Sequence, residues 1–118
     1  MRAHIENQSF TREERIRKRN DFITVYRTGV RIATRHFVVY VCKNQLGSRR
    51  LGVSIGKKIG NAVKRNRIKR LLREFFRLNK DILPDSHDFV IVATRDASSL
   101  HYRVICEELR QGLEGYAS

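Results

Sequence analysis

The sequence is poor in the residues that build most catalytic and metal centres. Its four histidines, His4, His36, His87 and His101, are scattered, with no HExxH or H-x₃-H spacing. Its two cysteines, Cys42 and Cys106, lie far apart without paired spacing. That excludes a disulfide framework or a cysteine-bound metal, so both are expected reduced, one in a strand and one in a helix. Acidic residues number 12 against 25 lysines and arginines. The carboxylates Glu13/Glu14, Asp85/Asp88 and Glu107/Glu108 fall in segments that read as surface or acidic, none where a bound phosphodiester would lie. Two-metal phosphodiester chemistry needs several carboxylates converging on one point, and no Ser-His-Asp or Cys-His set can be argued from spacing. The sequence therefore assigns no catalytic residue and no metal ligand. Apolar runs are short as well: none approaches the ~18 residues of a membrane span. The opening MRAHIENQSF lacks the apolar segment of a signal peptide, so a cytoplasmic setting without a membrane partner is expected.

What the sequence has is positive charge. The 118 residues carry a net +13, with a pI near 10.7, and 41% hydrophobic residues suffice for one modest core. A single domain over 1–118 is expected, with an anionic partner, nucleic acid before membrane. The charge is uneven: residues 1–56 carry +8, residues 57–80 carry +9 and residues 81–118 carry −4. The anion-binding surface should belong to the first two-thirds, and the rest should be scaffold.

The stretch Lys57–Lys80, KKIGNAVKRNRIKRLLREFFRLNK, holds ten basic residues against Glu74 alone. At helical spacing Ile68, Leu71, Leu72, Phe75 and Phe76 make one apolar stripe. Arg65, Lys69, Arg70, Arg73 and Arg77 are expected on the other side, with Arg67 at the edge. A solvated helix face interleaves signs at i, i+4, because like charges there repel by a few tenths of a kcal/mol per pair. One sign throughout points to a polyanion that supplies the missing charge. Gly52, Gly56 and Gly60 suggest a phosphate loop, but a Walker loop ending at Gly56-Lys57 would need Gly and Ser/Thr where Leu51 and Lys58 stand. The segment reads instead as a connection into a helix capped by Asn61, with Gly60 allowing close approach to a phosphate.

In order along the chain, residues 1–19 read as a basic, partly flexible arm with Phe10 docking on the core. Asn20 reads as an N-cap and Gly29 as the stop of a short helix. On that helix Phe22, Val25 and Tyr26 share a face: either all three are core, or Phe22 or Tyr26 offers a ring to an unpaired base. A short strand near Val30–Ala33 is expected. Arg35–Lys43 is a strong strand, with Val38 and Tyr40 on the face opposite Phe37, Val39 and Val41. Leu51–Ile55 reads as a strand paired to it. The small Gly52 and Ser54 would leave a shallow groove beside Val38 and Tyr40. Gln45–Arg50 is the turn, with Gly47 available for positive φ. Pro84, the only proline, lies in the segment that closes the long helix. Phe89–Ala93 reads as a central strand covered on both faces. Ser98 or Ser99 should cap a last helix, whose buried stripe is Tyr102, Ile105, Leu109 and Leu113 and whose outer face holds Glu107, Glu108 and Glu114. The fold class is α+β, a small two-layer α/β sandwich.

The run Lys57-Lys58-Ile59-Gly60-Asn61-Ala62-Val63, then Arg65-Asn66-Arg67-Ile68-Lys69-Arg70 and Arg73-Glu74, resembles the signature of the bacterial ribonuclease P protein family. Asn20-Asp21-Phe22 with Tyr26 and Gly29, Arg35-His36-Phe37, Gly52-Val53-Ser54-Ile55 and FVIVA extend the likeness over most of the chain. The resemblance implies a subunit of a ribonucleoprotein that removes the 5′ leader of precursor tRNA. Its RNA would hold the catalytic Mg²⁺ and cut the phosphodiester, with one protein per catalytic RNA. It implies a fold resembling the second domain of ribosomal protein S5, with a left-handed βαβ crossover where general rules favour the right-handed form. Carried over by position, Lys57, Lys58, Asn61, Arg65, Asn66, Arg67, Lys69, Arg70 and Arg73 would bind the RNA subunit. Phe22, Tyr26, Val38 and Tyr40 would bind the leader, with Tyr26 a phenol where the family's second helix aromatic is Phe. Two other readings stand beside this one: a ribosomal or RNA-chaperone protein using the same basic helix, and a protein-only nuclease, which the carboxylate pattern disfavours.

Overall fold

The structure is a computed structural model, and it describes residues 10–117. The elements are α1 (Arg19–Thr28), β1 (Val30–Ala33), β2 (Phe37–Lys43), β3 (Arg50–Ser54), α2 (Ala62–Leu78), β4 (His87–Ala93) and α3 (Tyr102–Ala117). Short 3₁₀ turns at Lys57–Ile59 and Lys80–Ile82 flank α2. The class is α+β, as the sequence indicates, and Val30–Ala33 is a strand.

The four strands lie in the order β1-β2-β4-β3, with β1, β2 and β4 antiparallel and β3 parallel to β4. This corrects one expectation: β3 does not pair with β2, because β4 lies between them. The apolar run Phe89-Val90-Ile91 is buried throughout, and such a run belongs at the centre of a sheet covered on both sides. The strand that carries Gly52 and Ser54 takes the edge. Helix α2 then makes the crossover between the parallel neighbours β3 and β4, a βαβ unit.

One sheet face carries Phe37, Val39, Val41, Leu51, Phe89 and Ile91. It packs on Ile68, Leu71, Leu72, Phe75 and Phe76 of α2 and on Ile105, Leu109 and Leu113 of α3, all buried. Each such side chain contributes about 1.5–3 kcal/mol on leaving water. The other face meets α1, where Val25 and Ile16 pack on Val90 with Phe22, Tyr40, Cys42 and Val92 around them. Cys42 and Cys106 are both free thiols.

The helix ends correct two assignments. Lys18, not Asn20, occupies the cap of α1, and no side chain bonds the first turn there. Asn20 sits inside that turn. Helix α3 begins at Tyr102, beyond the reach of Ser98 and Ser99. The ring nitrogen Nδ1 of His101 accepts the Arg103 N–H at 3.2 Å in their place. The other ends are as expected. Asn61 Oδ1 accepts the Lys64 N–H at 3.0 Å, and Gly29 donates its N–H to the Val25 carbonyl at 2.9 Å. A Cβ on Gly29 would lie 2.6 Å from that same oxygen, so the position takes no side chain. Gly47 has φ +79°, as the turn requires.

Two acids expected on the surface are inside. Asp88 is 5% exposed and accepts both Nε and Nη2 of Arg50, at 2.8 and 2.7 Å, with Asn44 at 2.7 Å. This pair ties β3 to β4 in register, and removing either partner would strand a buried charge. Glu108 does not join Glu107 and Glu114 on the outer face of α3. It accepts Thr34 Oγ1 at 2.6 Å, the His36 N–H at 2.7 Å and His36 Nδ1 at 2.8 Å, which latches α3 to the β1–β2 corner.

The basic arm is also more structured than expected. Residues 1–9 lie outside the described residues, but 10–18 form a strap along the β3 edge. Phe10 meets Phe76 edge-on at 5.3 Å, and the Ile16 N–H donates to the Leu51 carbonyl at 2.9 Å. Glu14 pairs with Lys80 at 2.9 Å, both side chains nearly out of solvent.

The latch generates a pH prediction. Burial pushes the Glu108 carboxyl pKa up, but the bonds from Thr34 and His36 outweigh it and hold the group below the ordinary carboxylate value. A depressed pKa stabilises the fold above the unfolded value, and that stability is lost as pH falls through the folded value. Glu108→Gln should therefore be less stable than the parent in denaturant at pH 7. The gap should close as pH drops below about 4. A gap that does not vary with pH would show that the carboxylate charge plays no part.

Candidate RNA-binding surface

Burying the apolar stripe of α2 fixes where its cations point. Asn66, Arg70 and Arg73 are exposed and Lys69 is half-buried. Lys57 and Lys58, on the turn before the helix, are exposed. None of the cations Lys57, Lys58, Lys69, Arg70 and Arg73 has an acidic partner among the described residues. Two other cations are compensated. Arg77 pairs with Glu74 at 2.7 Å, and Lys64 lies 3.3 Å from Asp96. On α2 and its leading turn, these five cations are left with one sign and no acidic partner, the arrangement that suits a polyanion.

Two signature arginines make bonds inside the chain, and one of them departs from the sequence expectation. Arg65 is not on the outer face. It lies half-buried at the flank of the helix, and its Nη1 donates to the Gly60 carbonyl at 2.6 Å. Arg67, at the opposite edge as expected, turns its Nε to the Ser98 carbonyl. Each guanidinium has five N–H donors, so each keeps donors for a phosphate after making its internal bond. The bond to Gly60 holds the leading loop against the helix start, and the bond to Ser98 holds the loop before α3. Hydrogen bonds inside the chain thus pre-order the surface. Gly60 itself is extended at φ 163°, a conformation any residue adopts, so its place is not set by backbone strain.

The second part of the surface lies on the other sheet face. Strand register puts Arg31, Tyr40, Val90 and Gly52 in one cross-strand row, and Ala33, Val38, Val92 and Ser54 in the next. Helix α1 covers the first row. A Cβ on Gly52 would fall 2.7 Å from Phe22 Cε1, so the missing side chain is the seat of the Phe22 ring. Tyr26 stands 38% exposed, edge-on to Tyr40 at 5.0 Å, and Phe22 lies 6.4 Å from it. The structure brings Phe22, Tyr26 and Tyr40 together. Val38 belongs to the next row and is nearly buried, at 7%. Because β4 lies between β3 and β2, Gly52 and Ser54 do not stand directly beside Val38 and Tyr40 as expected; the Phe22 ring fills the space over Gly52, and Ser54 and Val92 are half-buried. Of the two readings of the α1 face, Val25 is core while Tyr26 presents an accessible ring of the kind on which a base stacks.

Sequence reasoning placed Arg12, Arg15 and Arg17 only in a basic arm. The structure puts them on the strap, with Arg15 and Arg17 beside Phe10, Phe22 and Arg73. The alternation Arg15-Ile16-Arg17 was the signal, one buried apolar residue between two outward cations. No cluster of three His, Cys, Asp or Glu suited to a metal ion occurs among the described residues, and none of their helices is long and apolar enough to cross a membrane.

Uncompensated cations on α2 and its leading turn, with an aromatic cluster on the opposite sheet face, define a class, a compact α+β domain suited to a nucleic-acid partner. Comparison with known proteins narrows it. A family model described as Ribonuclease P matches residues 10–117. A ribonuclease P protein component from Syntrophus aciditrophicus is 54% identical over 98 residues, covering 83% of this chain and 82% of that protein. The solved RNase P protein of Staphylococcus aureus superposes with a TM-score of 0.78 at 38% identity, over 87% of this chain and 94% of that one. The Thermotoga maritima RNase P protein gives 0.78 at 33% identity, over 86% and 96%. The chain belongs to the ribonuclease P protein family, the protein subunit of ribonuclease P in tRNA 5′ processing. Its partner is accordingly an RNA.

Two measurements test this surface. If about six phosphates are neutralised, log affinity for RNA should fall with log salt at a slope of roughly −4 to −5, and a slope near −1 would remove α2 as the main face. Gly52→Ala should displace the Phe22 ring and cost about 1–3 kcal/mol in urea unfolding. An unchanged midpoint would mean that the ring does not rest there.

Proposed function

We propose that this chain binds the catalytic RNA of ribonuclease P through α2 and its leading loop, and the 5′ leader of precursor tRNA through the α1–sheet groove. The observation that carries the reading is the row Lys57, Lys58, Lys69, Arg70 and Arg73, cations left without acidic partners among the described residues and backed by the aromatic groove. Arg70 and Arg73 would fork across phosphate oxygens, and the lysines would act as point charges. Asn66, exposed between them, would add a hydrogen bond, while Arg65, Arg67 and Asn61 would hold the loop and helix start in shape and use spare donors on the RNA. Phe22, Tyr26 and Tyr40, with Val38 as floor, would receive unpaired leader bases by stacking.

In this reading the polypeptide is not the catalyst. The described carboxylates do not converge to hold Mg²⁺: Asp88 is committed to Arg50 and Glu108 to the β1–β2 corner. The proposal therefore assigns the Mg²⁺ and the hydrolysis of the phosphodiester to the RNA subunit. It further holds that one protein joins each catalytic RNA, and that the assembly works in the cytoplasm. The protein's share is to position the leader and neutralise phosphates that would otherwise repel.

The deciding experiment is cleavage of a precursor tRNA at low Mg²⁺ by the protein, by the catalytic RNA and by the two together. Only the mixture should release the leader efficiently. Cleavage by the protein alone would overturn the assignment of catalysis to RNA, and binding without any help to the RNA would favour a ribosomal or chaperone role. In the holoenzyme Phe22→Ala should weaken precursor tRNA about tenfold and leave mature tRNA unchanged, as expected for one lost stacking contact. Equal losses on both would take Phe22 out of the leader path.

A further inference from the structure

The strap makes a second feature that the groove does not account for. Between it and the body of the domain lies a notch of about 150 Å³, walled by Phe10, Arg15, Arg17, Phe22, Val53 and Arg73. Three guanidiniums from two distant stretches of chain line it, all exposed and none with an acidic partner among the described residues. The fold does not leave them together by default, since each could point to open solvent at lower electrostatic cost. Internal contacts fix the walls. Arg15 lies over the Phe10 ring at 4.7 Å, Phe10 meets Phe76, and Ile16 is held to Leu51. The Glu14–Lys80 pair clamps the strap from the far side.

The geometry points to a site for one unpaired nucleotide of the precursor's leader, beyond the groove, with its base beside the Phe10 and Phe22 rings and its phosphates on Arg15 and Arg17. The inference rests on the leader reading above and extends its path. The volume takes one base, with its sugar and phosphates outside, and is too small to enclose a drug-sized ligand of about 300–1,000 Å³. A duplex presents stacked, paired bases that cannot enter a notch this small, whereas a single strand can turn one base in. Phe22 belongs to both places, with its ring over Gly52 and its edge in the notch, so a strand leaving the groove reaches the notch without crossing open surface. The charge is complementary, and the Phe10, Arg15 and Ile16 part of the wall is held by contacts within the chain before the strand arrives.

The test uses the reconstituted holoenzyme, with precursor tRNAs whose leaders are lengthened one nucleotide at a time. Arg17→Ala removes an exposed side chain with no internal partner, so folding should be unaffected. It should weaken long-leader precursors about three- to tenfold and reduce the salt slope by about 0.7, the share of one phosphate on a single strand. Short-leader precursors and mature tRNA should bind as before. Arg103→Ala, on the acidic helix α3, serves as the unchanged control. A photoreactive uridine walked along the leader should cross-link near Tyr26 at one position and to the strap at a more distal one. Loss on mature tRNA as well, or absence of a strap cross-link, would overturn the notch. Tyr26→Ala is measured in parallel. If it too lacks a leader-dependent effect, the groove reading fails; if it has one and Arg17→Ala does not, the notch alone fails.

Discussion

The architecture depends on burying the apolar stripe of α2 against the sheet. Ile68, Leu71, Leu72, Phe75 and Phe76 leave water together, each contributing about 1.5–3 kcal/mol. Like charges along the same helix oppose this by only a few tenths of a kcal/mol per pair. The stripe wins by an order of magnitude and fixes the rotation of the helix. The cations therefore have no choice of direction: Arg70 and Arg73 face outward because the residues a turn away face inward. The proposed binding surface is the obligatory reverse of the core.

The signature arginines divide the work. Arg70 and Arg73 carry unused charge, whereas Arg65 and Arg67 spend part of theirs on the carbonyls of Gly60 and Ser98. A guanidinium that shapes a loop and still has donors to offer is pre-organised, which lowers the entropy cost of each contact it makes. The same holds behind the sheet, where Gly52 gives the Phe22 ring a fixed seat. Neither surface has to be assembled by the RNA.

Much of this was legible in the sequence where the determinants are local. The helical period of Lys57–Lys80, the Asn61 cap, the Gly47 turn and the continuous run Phe89–Ala93 each specify their structure within a few residues. Features that depend on distant partners were not. β3 looked like the hairpin mate of β2 because consecutive strands usually pair, and nothing near it announces that β4 will come between. Asp88 and Glu108 read as surface acids because their partners, Arg50 and the Thr34–His36 corner, lie 38 and more than 70 residues away. Asn20 was a reasonable cap by type, yet the chain enters the helix two residues earlier. Of the proposed binding surface, the helix and the aromatic pair were visible. Of the strap, the docking of Phe10 on the core was expected, whereas only the fold lays Arg15 and Arg17 beside Arg73.

The central place of β4 also governs the order in which this chain can become a protein. Synthesis delivers the strap, α1, the β1–β2 hairpin, β3 and α2 before the strand on which most of them depend. Until His87–Ala93 emerges, β3 has no strand to pair with, the strap has no fixed edge to dock on, and the stripe of α2 faces an incomplete sheet. A nascent chain of this topology holds its basic helix and its apolar stripe exposed together until β4 is made. Closing the non-local pairings therefore waits for β4.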